Sequence, residues 1–553
     1  MLWLAKQIRL RQQLAMLGLT LGLVAGGAEG VWAQPGKAPP DPQIVDDGEG
    51  GAEAIPGQAP PGQAPVPYDP QRPDDNPATE SATTAETQRY PRIVKLELSP
   101  AAEPSPALKY TLLVPVERRQ PGNAATRYYR AMILHLERMN NQTADARKEY
   151  NDSINKLLDQ PISGFDSQLA ERWFPPESGV ISEVRAGTLR EQCDWSFQLQ
   201  TIEGVAVLGF LLPDLQEMRG LNRVLTIDAK RQIAQKNWDK AIEDLQGGYQ
   251  VGIHCNAEPL LIANLVGIAC ASQMNGVVEQ MCGQPDSPNL YWALATLPQH
   301  HWSMQRSFEI ERDMVFRIFP YLRDAETTER TPEEWQRLFD ASLKEIYQFN
   351  LVSGLQGPGY SMQSWEARMQ MAAMMAITYT AVKEDLIKSG MKKERVEKMP
   401  IGQVAAIQTA RTFRHVSSEM MKWNYLPYDK VEDRQRETMD RLREEGWMSS
   451  TPSAKDPMRV CSILLPAMET VRQSEVRFQQ QIAGLQVIEA IRMHLAMTGK
   501  MPKKLEQIEV VPVPDNPATG KPFPYTIGQG GVVELHLEGL PEHLQVIYQL
   551  KAR

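Results

Sequence analysis

The run Pro259-Leu260-Leu261-Ile262-Ala263-Asn264-Leu265-Val266-Gly267-Ile268-Ala269-Cys270-Ala271 is apolar on every side. A helix without a polar face must be surrounded, so this segment belongs at the centre of a core. Just upstream, Leu221, Leu225, Ala229 and Ile233 make one helical stripe, Lys236-Asn237 turn the chain, and Trp238, Ala241, Ile242 and Leu245 make the next. The small residues Ala229 and Ala241 let the two backbones approach, which is the packing logic of a tetratricopeptide-type hairpin. Such repeats recur about every 34 residues, and no convincing second copy appears at that period. An irregular antiparallel bundle is therefore the alternative architecture.

The helical pattern extends well beyond this centre. Ala125, Tyr128, Tyr129, Met132, Leu136 and Met139 share one face, and helices are expected over 298–318, 333–349, 364–388, 401–423 and 466–497. The stretch 429–456 is highly charged and is expected to protrude as a solvated insertion. Both ends read as extended chain. Ile93 to Leu98 alternates at period two and pairs with Leu108 to Val116 in an expected hairpin. After a long helix stopped by Gly499, two alternating segments flank Gly528-Gln529-Gly530-Gly531 as a β-hairpin, and His543 to Leu550 adds a third strand. The expected fold is mainly α: an irregular or tetratricopeptide-like helical array over 92–465, then a small α+β module over 466–553.

The first 33 residues carry a different message. Lys6, Arg9 and Arg11 precede an apolar run from Leu14 to Ala25, and Val31-Trp32-Ala33 ends in the small residues a signal peptidase reads. Residues 1–33 are thus expected to export the chain to the periplasm or beyond, with N-terminal membrane anchoring as the alternative. No second run of about 18 apolar residues is expected to span a bilayer. Residues 34–91 repeat Pro, Gly, Gln and Ala with little apolar surface, the composition of a disordered tether. The formal net charge of -9, without a basic cluster, argues against nucleic acid as a partner.

Five cysteines are too few and too scattered for a disulfide framework or CxxC zinc sites. Cys270 and Cys282 share a helix, where 12 residues at 1.5 Å each hold them roughly 18 Å apart unless the helix breaks at Gly276. The expected bridge is Cys193 to Cys255, because both lie at helix boundaries in an oxidising compartment.

Three segments together carry a family resemblance. Pro106 to Tyr110 leading to Pro121-Gly122-Asn123-Ala124-Ala125, Cys193-Asp194-Trp195 followed by the helical pair and Leu265-Val266-Gly267-Ile268-Ala269, and Asp515 to Tyr525 resemble a family of exported, functionally uncharacterised proteins of planctomycete bacteria. The resemblance implies export and helical architecture and brings no activity with it. Asp515 to Tyr525 is also similar to the loop that ends pseudopilin-like domains, although the N-terminal apolar segment lies too far from the last helix for a pilin.

Residues able to do chemistry are sparse. No HExxH, nucleophile elbow, P-loop or dinucleotide motif occurs. His300-His301 reads as an exposed helix start, and Met369, Met371, Met374 and Met375 read as core filler rather than copper ligands. Glu177-Ser178 is the one candidate for a lytic-transglycosylase-like general acid, yet Pro175-Pro176-Glu177-Ser178-Gly179 reads as a loop. No catalytic, cofactor-binding or metal-ligating residue is assigned. The expected role is non-enzymatic binding or scaffolding of an unknown protein or envelope polymer, without membrane insertion after signal cleavage; an envelope polymer hydrolase and a structural component are the alternatives.

Overall fold

The computed structural model describes residues 91–197, 203–204, 212–352, 364–448, 453–458, 461, 467–528 and 531–553. The leader and tether read from the sequence lie outside the described residues. The fold is mainly α with a small α+β module. After strand β1 (Arg92–Leu98) and the short β2 (Gln120–Asn123) come α1 (Ala124–Asn140), α2 (Ala144–Asp159), α3 (Ser167–Trp173) and α4 (Gly179–Thr188). Strand β3 (Arg190–Gln192) then leads to α5 (Leu212–Ala234), α6 (Trp238–Cys255) and α7 (Leu261–Met281). Helices α8 (Tyr291–Ala295), α9 (Gln305–Ile318), α10 (Pro332–Val352), α11 (Ser364–Lys388), α12 (Lys393–Lys398), α13 (Ile401–Met421) and α14 (Tyr428–Glu444) follow. The long α15 (Ala467–Thr498) and strands β4 (Tyr525–Ile527), β5 (Val533–Leu537) and β6 (Val546–Ala552) complete the chain.

The expected helical pair is α5 and α6. Lys236 turns the chain between them at a positive φ of 60°, and Ala229 and Ala241 are fully buried. Helix α7 folds back on α6 where two glycines meet: a Cβ on Gly252 would stand 2.7 Å from the Gly267 carbonyl oxygen. Only residues without side chains allow backbones this close. By length and composition α7 could cross a bilayer, contrary to the expectation that no further segment would, but 78% of its most apolar window is buried in the protein. Here it is the core helix that its all-round apolarity demands.

Helix α15 packs against α7 and also against the sheet, whose order is β1-β6-β5-β4. Gly484 of α15 lies against Leu537 of β5, and Val533, Leu535, Leu537, Val546, Tyr548 and Leu550 turn inward from alternate positions. The C-terminal hairpin and third strand form as expected, antiparallel throughout.

Two expectations are overturned. Strand β1 does not pair with Leu108 to Val116; it lies parallel to β6, Arg92 opposite Val546 and Leu98 opposite Ala552. The segment after β1 carries Pro104, Pro106 and Pro115, which cannot donate to a ladder, and it buries Leu112 and Val114 without forming a strand. The charged stretch 429–456 does not simply protrude. Its helix α14 buries Tyr428, Val431, Met439 and Leu442 and turns its charges outward, so composition reported only one of its faces.

Candidate functional site

The densest convergence of ionisable side chains lies between α4, α5 and α6. Asp228 on α5 and Asp244 on α6 sit on the inward stripes of the helical pair, 2% and 1% exposed. Arg185 of α4 reaches both: its Nη2 donates to Asp244 Oδ1 at 2.7 Å and also to Asp228, while Nε donates to Asp244 Oδ1 at 3.0 Å. Arg231, one turn along α5, donates to the other Asp228 oxygen. Burial raises the Asp244 pKa well above the usual carboxylate range, and the charge of the neighbouring Asp228 carboxylate adds to the rise. Asp244 is therefore the carboxyl of the cluster that holds its proton more tightly than a free carboxylate. Asp244 Oδ2 is buried without a partner, and the half-exposed Arg185 is the side of the cluster that meets solvent. Sequence reading missed this group. Its one signal is that Asp228 and Asp244 interrupt apolar stripes beside Ala229 and Leu245.

A neutral network lies along α6. Tyr128 of α1 is completely buried, its hydroxyl 2.7 Å from His254 Nδ1, and Gln250 Nε2 is 2.9 Å from His254 Nε2. The Trp195 indole stacks on the Tyr128 ring and donates to the His254 carbonyl at 2.9 Å. Gly187 leaves the room that the Tyr128 ring occupies. Burial lowers the His254 pKa to about 4, so the imidazole is uncharged at neutral pH. Asn123 joins two of the three family-like segments: its side chain accepts from Ala125 and Asp194 backbone amides at 3.0 and 2.9 Å and donates to the Asp194 carbonyl at 2.7 Å.

Cys193, Cys255 and Cys270 gather in the same core cluster. The expected Cys193 to Cys255 bridge is not formed; all five cysteines are free thiols. The neighbouring Cys270 thiol, ahead of burial, pushes the Cys255 pKa well above the usual thiol value and holds it protonated. The pairing follows from the antiparallel register of α6 and α7, which sequence spacing alone did not reveal. Helix α7 runs unbroken through Gly276 to Met281, so Cys270 and Cys282 stay apart.

A second buried ion pair is sealed. Arg492 of α15, 0% exposed, donates to both Glu489 oxygens at 3.0 and 2.8 Å, to the Ser99 carbonyl at 2.8 Å and to Ser287 Oγ at 2.6 Å. It ties the end of β1 and the loop after α7 to the long helix. With every direction filled by protein, it is a structural knot.

The remaining sequence candidates are dispersed. His300 is exposed and His301 half-buried in a single 3₁₀ turn, their rings 4.3 Å apart; among the described residues no three metal-ligating side chains converge. Met375 is buried and Met374 half-buried, but Met369 is 64% exposed, so the methionine segment is only partly core; the side chain of Met371 lies outside the described residues. Glu177 is an exposed turn residue, and Ser178 caps α4 by accepting from Ile181. Two surface depressions lie apart from all these groups. One, of about 420 Å³, is open and lined by Asp145, Lys148, Glu149, Asp152 and Lys156 of α2. The other, of about 140 Å³, lies between α14 and α15 and is lined by Glu432, Gln435, Arg436 and Gln473. Neither adjoins the Asp228–Asp244 pair. No family model, curated protein or solved structure matches this chain.

Proposed function

We propose that this chain is an exported, non-enzymatic binding or scaffolding protein of the cell envelope, its helical body carried on the 34–91 tether and presenting a tetratricopeptide-like array to a protein partner. The N-terminal signal pattern and the resemblance to exported planctomycete proteins support the compartment. The observation that carries the binding role is the outer face of α11. Met369 and Ile377 are 64% and 78% exposed, with exposed Ala372, Ala373 and Ala376 between them. These residues recur at helical spacing and make one apolar row, of the kind that marks interaction surfaces. Small residues in such a row favour close approach of an apolar helical segment of the partner.

The hydrolase reading draws on Asp228 and Asp244, two buried carboxylates in one place. Its weakness is that Arg185 and Arg231 already occupy them. Capture from envelope extracts with the mature chain, alongside Ile377→Glu, tests the binding role: a protein retained by the wild type and lost by the variant supports it. No retained protein, combined with release of soluble fragments from purified cell-wall polymer that Asp244→Asn abolishes, replaces it with the hydrolase.

A further inference from the structure

The α6–α7 contact has a consistent antiparallel register. Gly248 lies against Met274, the Tyr249 hydroxyl donates to Asn275 at 2.6 Å, Gly252 lies against Ala271 and Gly267, and Asn256 lies against Gly267. In that register Cys255 falls level with Ile268, two residues from Cys270 along α7, so the two cysteines share one stretch of the crossing. The glycine crossing holds the two backbones close enough for side chains as short as cysteine to meet. Both thiols are 0% exposed and belong to one apolar cluster, whereas Cys193 sits at its half-exposed margin on the segment after β3. Cys282 is committed elsewhere, its thiol donating to Glu489 at 3.4 Å.

We infer that Cys255 and Cys270 are a disulfide-forming pair that staples α6 to α7, with Cys193 left as the free thiol. This rests on the exported reading above for its oxidising surroundings. The oxidant is a disulfide of the glutathione or exchange-protein class. The Cys255 or Cys270 thiolate attacks it, one donor sulfur leaves as a thiol, and the second protein thiolate displaces the other. One S–S bond breaks in the donor and one forms in the protein; the two cysteines lose two electrons and two protons, and the donor gains both. Because neither sulfur meets solvent in the folded chain, the bond closes while the α6–α7 corner is still forming, and the folded dithiol exchanges slowly.

The test is a peptide map without reductant of the full chain, denatured, refolded in a reduced and oxidised glutathione buffer and then alkylated. The expected result is one linked pair containing Cys255 and Cys270, with Cys193 alkylated. Cys255 and Cys270 both alkylated, or either one linked to Cys193, overturns the inference. A melting midpoint that rises on oxidation in wild type and Cys193→Ser but not in Cys270→Ala supports it, and an equal rise in Cys270→Ala overturns it. Chain recovered from cells under acid quench separates the two readings: a pair closed on refolding but reduced in the cell keeps the staple and removes export.

Discussion

The α6–α7 crossing and the outer face of α11 are built from the same residues, glycine or alanine with methionine, and end in opposite states. At the crossing, Gly248, Gly252, Gly267, Ala271 and Met274 interlock and are all buried. On α11, Ala372, Ala373, Ala376, Met369 and Ile377 stand in water. Small apolar residues do not themselves choose burial. A second layer at matching register does, and the crossing has one inside the chain whereas the α11 row does not among the described residues.

The comparison breaks most visibly at Gly267. A Cβ there would press on the Gly252 carbonyl and on the Asn256 side chain, and neither backbone can yield without separating α6 from α7. Gly267→Val is expected to lower stability by about 3 kcal/mol or more, at the upper end of overpacking penalties, in a denaturant titration. A midpoint within error of wild type would show that the crossing is looser than its geometry.

The closed region should also answer to acid, through His254. Its pKa is lowered from 6.5 to about 4 by burial, so between those values the unfolded chain binds a proton that the folded chain refuses. Stability is then full above about pH 6.5 and falls as pH drops toward 4, by about 3 kcal/mol for a shift of this size. His254→Gln, which keeps a partner for Tyr128, should flatten that slope. An unchanged slope would mean the ring is not shielded from water.

Glu311 opposes it. Burial beside the start of α7 raises this carboxyl to about 7, where the Leu261 amide donates to it at 3.4 Å. The folded chain now holds the proton more tightly, so the contribution is present below about pH 4.5 and lost as pH rises through 7. The side chain is only half-buried, and solvent reduces the effect to about 2 kcal/mol. Glu311→Gln should stabilise the protein above pH 7 and leave it unchanged near pH 4, the reverse of the His254 variant. Parallel slopes in the two variants would remove both assignments.

How much of this was legible depended on whether a feature is local. The α5–α6 pair, the buried α7 and the C-terminal hairpin follow from periodicity and turn residues, which are properties of a few consecutive side chains. The partner of β1 was not legible: its strand pattern is local, but the strand it joins lies at the far end of the chain. The Asp228–Asp244–Arg185 cluster and the Cys255–Cys270 meeting failed for the same reason, each depending on which faces of separate helices turn toward each other. Residues 429–456 failed differently, because counting charges without placing them on a helix hides the inner face of α14.

The smallest effect on stability is expected where the functional consequence is largest. Ile377 is 78% exposed and lies away from the buried side of α11, where Met375, Thr378, Val382 and Leu386 are covered. Replacing it with glutamate removes no internal contact that packing requires, so its unfolding free energy should stay within about 0.5 kcal/mol of wild type. If the row is a recognition surface, a charge at its centre must be desolvated when the partner's apolar segment arrives, and binding should weaken by at least tenfold. Gly267→Val and Ile377→Glu thus separate stability from recognition: the first should destabilise the body, the second should leave it intact and weaken its hold on the partner. A variant Ile377→Glu that is destabilised as much as Gly267→Val would mean that the α11 row is covered in the folded protein, and the contrast between the two faces would disappear.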